Sequence, residues 1–152
     1  MRMDPDAARE AAGDFRFLET TVLAVFQARH EALALGATEV TPGHLALGIL
    51  KALPAADRAA LLPDPARFTL LCRRLGAGVD AAPAIPEEVG YTAAARAAFG
   101  RARAEAGPAD IGPLHLLAGV LTEADAFDRD ALAAAGLSLE GVRRLQDGGA
   151  VP

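Results

Sequence analysis

The sequence predicts an all-α protein built as a pseudo-twofold tandem repeat of two four-helix units. Three observations carry that reading. Apolar residues make up 52% of the chain but aromatics only 5%, and tryptophan is absent. Alanine supplies much of the apolar share, and small side chains let helix axes approach closely. The β-branched and aromatic residues that favour strands are scarce. The second observation is a stretch that occurs twice, GATEVTPGHLALGIL from Gly36 to Leu50 and GPADIGPLHLLAGVL from Gly107 to Leu121. The offset is a constant 71 residues, as between His44 and His115 or Gly48 and Gly119. Such self-similarity marks a repeated structural unit. The third is that apolar residues flanking each copy recur at helical spacing.

Each element has a local reason. Leu18, Val22, Val25, Phe26 and Leu33 predict an amphipathic helix from about Phe17 to Leu35. Gly36 ends it, because a residue without Cβ takes the left-handed cap at little cost. Thr41 can cap the next helix, with Pro42 at its first position, where the missing N–H costs nothing. Gly48 lies in that helix interior, where glycine costs about 1 kcal/mol relative to alanine, so a close crossing with another helix is expected there. Short helices follow over about Ala55–Leu62 and Pro65–Leu75, the second capped by Asp64.

The second half repeats the plan. Thr92 caps a helix running to about Ala106, with Ala95, Ala98, Phe99 and Ala102 on one face, and Gly107 ends it. Gly112 and Pro113 start the motif helix and Gly119 matches Gly48, but Gly112 has no hydroxyl with which to cap. Short helices are expected over about Phe127–Ala135 and, after Ser138, over Leu139–Gln146. The prolines and glycines of residues 77–90 predict a linker between repeat 1 (about 15–76) and repeat 2 (about 91–147). The two repeats form one domain over 15–147, flanked by a flexible N-terminus (1–14) and tail (148–152).

Charge and composition exclude several function classes. A net charge of −5, with arginines scattered beside acids, argues against nucleic acid as a partner. No apolar run has the length of a membrane span, and the N-terminus carries no secretory h-region, so a cytoplasmic location is expected. The single cysteine, Cys72, stands among Leu70, Leu71 and Leu75 and reads as a buried structural thiol. The acids Glu123, Asp125, Asp128 and Asp130 lack calcium-loop spacing and read as a polar turn at a helix N-terminus. His44 and His115 admit two readings. Each hydrogen-bonds into the turn before its own helix, or the two face one another as part of a metal or ligand site, which zinc would complete with further ligands. His30 is expected at the surface. No nucleophile motif and no phosphate-binding G-x-x-x-x-G-K-[ST] loop is present, so neither an enzyme activity nor a cofactor is expected.

The doubled motif, Val40 to Leu50 and Ile111 to Leu121, resembles the Clp repeat domain found at the N-terminus of Clp-type unfoldases. Ala135-Gly136-Leu137-Ser138-Leu139-Glu140-Gly141-Val142-Arg143 is similar to the segment that closes a family repeat. Phe17-Leu18 and Tyr91-Thr92 are similar to its start, and the resemblance covers about residues 15–147. It implies a double Clp-N motif standing alone without ATPase modules, and a protein or peptide partner: an unfoldase, its adaptor or its substrate. In family members that bind phosphorylated arginine, a glutamate just before the histidine of each repeat receives the guanidinium, supplying charge and fork geometry. Those positions are Gly43 and Leu114 here, beside Pro42 and Pro113. The departure implies that phosphoarginine is not recognised, and that Gly43→Glu with Leu114→Glu would partly restore binding. The helix from Tyr91 to Gly107 is also expected to be about one turn shorter than its counterpart.

The resulting expectation is a non-catalytic protein-binding module linked to Clp-dependent proteolysis, monomeric or weakly dimeric. Its candidate site is the groove between the repeats, made by Phe17, Thr41, Gly43, His44, Gly112, Leu114 and His115. Two alternatives stand beside it: an assembly module that pairs with itself or an operon partner, and a small-ligand or metal-binding protein using an inter-repeat pocket.

Overall fold

The computed structural model describes residues 16–76 and 90–148. The flexible N-terminus expected over 1–14, the linker over 77–90 (Gly90 apart) and the tail over 148–152 (Gly148 apart) lie outside the described residues. The described residues form eight helices and two very short strands. The first half holds α1 (Glu19–Ala34), β1 (Glu39–Val40), α2 (Pro42–Ala52), α3 (Ala55–Leu61) and α4 (Pro65–Gly76). The second holds β2 (Gly90–Tyr91), α5 (Ala93–Ala106), α6 (Pro113–Glu123), α7 (Ala126–Ala135) and α8 (Leu139–Gly148). Helix α5, at 14 residues, is two shorter than α1, at 16, which is about half a turn rather than a full one.

Local capping explains most boundaries. Thr41 Oγ1 accepts from the His44 N–H, Thr92 Oγ1 from Ala95, Asp125 Oδ1 from Asp128 and Ser138 Oγ from Gly141. Each satisfies a donor that the first helical turn leaves without a partner. Gly36 and Gly107 leave their helices at φ 78° and 60°, and Gly136 follows α7 at φ 96°, all in the region that favours glycine.

The core lies between the two motif helices. In α2 every residue from Pro42 to Leu50 is buried, and in α6 so is every residue from Leu116 to Val120. These two pack on each other, α1 covers α2, and α5 covers α6. A Cβ at Gly48 would sit 2.3 Å from the Ala24 carbonyl oxygen and 2.6 Å from the Ala28 nitrogen. At Gly119 it would sit 2.3 Å from the Ala98 oxygen. Both mid-helix glycines therefore mark close crossings, and the facing helix must present small residues. The buried face of α1 is Thr21, Ala24, Ala28 and Ala32, and that of α5 is Ala95, Ala98, Ala102 and Ala106. Buried Glu31 at the end of the α1 face is paired with Lys51 Nζ at 2.7 Å and Gln27 Nε2 at 2.7 Å.

The crossing overturns one expectation. Of the apolar face expected for the first helix, Val25 and Leu33 pack half-buried against the core, but Leu18, Val22 and Phe26 are exposed. Their helical spacing is real, but a helix pressed this closely against Gly48 centres its alanine stripe on the crossing and turns these larger residues away from it. Cys72 is half-buried rather than fully buried, and burial pushes its thiol pKa up.

The halves are interlocked rather than merely adjacent. β1 pairs in parallel with β2, with Glu39 opposite Gly90 and Val40 opposite Tyr91. The matching contact in the other direction is a bridge between Phe17 and Ile111. Leu18 N–H donates to the Ile111 carbonyl at 2.9 Å, and Ile111 N–H donates to the Arg16 carbonyl at 2.6 Å. Each half thus lends the segment before its long helix to the buried turn of the other. Helix α4 packs on α7 and α3 on α8, again across the pseudo-twofold relation.

Candidate binding surface

The two motif starts are built alike and finished differently. In the first, Thr41 N–H donates to His44 Nδ1 at 3.0 Å while Thr41 Oγ1 accepts from the His44 backbone, a reciprocal box with histidine at the third helical position. His44 is buried, its ring hydrogen-bonded on the other side to the Glu39 backbone. Burial depresses its pKa from 6.5 to about 4, although Glu31 and that backbone bond pull it up. In the second, Gly112 N–H donates to His115 Nδ1 at 2.9 Å, and the reciprocal bond is missing because Gly112 has no side chain. His115 is half-buried and its pKa is lowered by burial, with Glu105 opposing. Arg143 holds Glu105 through both guanidinium nitrogens and keeps that carboxyl below its usual range. Each histidine therefore stabilises its own helix start. His30 is exposed.

At position 43 the space for a side chain is already taken. A Cβ there would lie 2.5 Å from Leu75 Cδ2 and 3.1 Å from the Asp128 carboxyl carbon. Asp128 comes from α7, is buried, and accepts from the Gly43 N–H at 2.9 Å and from Thr41. Its carboxylate sits where the α2 dipole and free N–H groups favour an anion. Desolvation nonetheless raises its pKa, with those two hydrogen bonds opposing. A glutamate at position 43 would have to displace the Leu75 side chain and would set a second carboxylate beside buried Asp128. Leu114, the counterpart of Gly43, is half-buried against the core.

The structure sorts the seven residues of the expected groove into two groups. Thr41, Gly43 and His44 gather at the α2 start around Asp128, with Gly43 and His44 buried. Phe17, Gly112, Leu114 and His115 gather at the α6 start, where Phe17 bridges to Ile111. Phe17 stacks edge-on with Phe99 at 5.9 Å, and Tyr91 with the same ring at 5.5 Å. Leu18 Cδ1 lies 3.4 Å from where a Gly112 Cβ would be. From this edge the outer face of α1 continues as Leu18, Val22, Leu23 and Phe26, with Leu23 55% and Phe26 54% exposed. Sequence reasoning took most of these for core.

Asp128 was also missed as a structural acid, and a signal existed. Ala55, Asp57, Arg58, Ala60 and Leu61 match Ala126, Asp128, Arg129, Ala131 and Leu132 at the same 71-residue offset. The repeat thus extends into its third helix. Arg58 Nη1 donates to the Leu50 carbonyl and Arg129 Nη2 to that of Ala124, so both arginines hold the end of the preceding motif helix.

No family model matches the chain, and no curated protein matches it. Solved structures do. The N-terminal domain of the caseinolytic protease associated chaperone ClpD from Arabidopsis thaliana superposes with a TM-score of 0.69 at 19% identity. The match covers 86% of this chain and 95% of that one. The fold is that of a Clp N-terminal domain. The Hsp104 N-terminal domain from Candida albicans agrees, with a TM-score of 0.66 at 12% identity over 88% of this chain and 92% of that one. A structure from a malarial protein secretion system reaches 0.72 at 15% identity over 88% and 94%. Two properties can be set beside the Clp N-domain fold. Among the described residues no three His, Cys, Asp or Glu side chains are grouped to hold a metal ion. No described helix is long and apolar enough to cross a membrane.

Proposed function

We propose that this Clp N-domain is a non-catalytic docking module of Clp-dependent proteolysis, and that it engages an apolar segment of an unfoldase, its adaptor or its substrate on the outer face of α1. One observation carries the reading. Helix α1 centres its buried face on alanines and turns Leu18, Val22, Leu23 and Phe26 to solvent. A contiguous exposed apolar face on a folded domain marks an interaction surface, and the exposed spacing suits an amphipathic partner laid along the helix. Half-buried Phe17 and Leu114 border the face at the α6 start.

The test is co-purification from the native lysate with Leu23→Asp/Phe26→Asp as the matched control, both being exposed positions that leave the core intact. The expected result is recovery of a Clp unfoldase, its adaptor or a substrate by the unaltered protein, reduced at least about tenfold in the variant. Recovery of only the protein itself, equally by both, would support the assembly reading instead.

Phosphoarginine is not the ligand in this reading. Position 43 has no side chain, position 114 is a leucine, and the nearby Asp128 carboxylate is buried and already hydrogen-bonded. Isothermal titration with free phosphoarginine should show no binding, and a measurable affinity in the unaltered protein would refute the point.

A further inference from the structure

On the side of the fold where α4 meets α7 lies an open groove of about 270 Å³. Its walls are Leu70 and Leu71 from the first repeat and Ala131 and Ala134 from the second, and Arg73 and Arg74 stand at its rim. Leu70 is 55% exposed, although it lies on a helix whose Leu71 and Leu75 are core. The groove is smaller than the roughly 300–1,000 Å³ of small-molecule sites, which suits a side-chain anchor better than a cofactor. Its charge points to the partner. A third arginine, Arg67, reaches Gly136 at the end of α7, with Nη1 3.1 Å from where a Cβ would be.

None of these three guanidiniums takes part in an ion pair or side-chain hydrogen bond among the described residues, whereas Arg16, Arg101, Arg143 and Arg144 are each paired with a carboxylate. A chain of net charge −5 thus sets two exposed guanidiniums on an apolar slot, with a third, Arg67, on the same helix. Of the α7 acids, Asp125 caps the helix and Asp128 is buried at Gly43, leaving only exposed Asp130 nearby.

We propose that the α4–α7 groove docks an acidic peptide segment, which seats an aliphatic side chain between Leu70 and Ala134 and sets flanking carboxylates against Arg67, Arg73 and Arg74. Arginine suits this role because its planar fork meets carboxylates in a bidentate way. The site is separate from the α1 face and does not rest on it. It is also a property of the folded pair, since its walls come from different repeats.

Fluorescence anisotropy with three labelled hexapeptides tests it: Glu-Glu-Leu-Leu-Glu-Glu, Lys-Lys-Leu-Leu-Lys-Lys and Glu-Glu-Ser-Ser-Glu-Glu. Only the first should bind, more weakly as salt is raised. Its affinity should fall about tenfold or more in Arg73→Glu/Arg74→Glu and in Leu70→Ser, with helical circular dichroism unchanged. Leu23→Asp/Phe26→Asp should leave it unaltered, which separates this site from the α1 reading. Failure of the acidic leucine peptide to bind, equal binding of the basic one, or indifference to the arginine substitutions would each overturn the proposal. So would a concentration-dependent dimer abolished by Arg73→Glu/Arg74→Glu, which would assign the groove to a second copy of this chain.

Discussion

Gly48→Ala should destabilise the protein by about 3 kcal/mol, even though alanine is the better helix former by about 1 kcal/mol. The added methyl meets backbone, not a flexible side chain: the Ala24 oxygen at 2.3 Å, the Ala28 nitrogen at 2.6 Å and its Cα at 2.9 Å. Rotamer changes cannot relieve that, so α1 must move away from α2 and loosen the alanine interface along its length. Gly119→Ala should cost less, because only the Ala98 oxygen, at 2.3 Å, comes closer than 3.0 Å. Gly100 supplies the control, since it is also helical but has nothing within 4 Å of its would-be Cβ. Gly100→Ala should stabilise by roughly 0.5–1 kcal/mol. Urea denaturation of the three variants gives the order, and in thermal melts Gly48→Ala should fall about 10 °C. A Gly48→Ala protein as stable as Gly100→Ala would show that the two helices do not cross this closely.

Acid should weaken the fold before carboxylates titrate in earnest, and His44 is the cause. Its Nδ1 accepts the Thr41 N–H, so protonation would set two donors against each other inside the core. The folded protein takes up that proton only near pH 4, the unfolded chain near 6.5. Between these values unfolding binds a proton, so stability is complete above the higher pKa and declines as pH falls toward the lower. The full difference is worth about 3 kcal/mol, of which about 2 kcal/mol is lost between about pH 7 and pH 5.

The lowered pKa of His115 adds in the same direction. Asp128 works the other way: its raised pKa means that the folded state takes a proton more readily than the unfolded chain, which offsets part of the loss as pH nears the carboxylate range. His44→Gln separates the contributions. A glutamine at the third helical position can still accept the cap N–H but does not titrate. Urea midpoints measured at both pH values should therefore lie closer together in the variant, with His115 contributing to the remaining difference. An unaltered slope in His44→Gln would place the acid sensitivity elsewhere.

What could be read in the chain was whatever depends on neighbours in sequence. Thr41, Asp64, Thr92 and Ser138 accept hydrogen bonds from their own first helical turns, and Gly36 and Gly107 end their helices at positive φ. These are contacts over a few residues, governed by side-chain chemistry and backbone sterics. The 71-residue offset added the pseudo-symmetry, and two mid-helix glycines at matched positions foretold two close crossings. Those signals determined an all-α double repeat.

Only the tertiary structure decided which face of each helix is the inside. Leu18, Val22 and Phe26 have the period of a core face, yet the crossing at Gly48 seats Thr21, Ala24, Ala28 and Ala32, leaving those three in solvent and Val25 and Leu33 half-buried at its flanks. Periodicity reports that an apolar stripe exists, not what covers it. The exchange of Phe17 and Tyr91 between repeats, the burial of Asp128 against Gly43 and the groove between α4 and α7 all join residues far apart in the chain. Such pairings are selected by shape and by hydrogen-bond satisfaction once the halves meet, which no local spacing encodes.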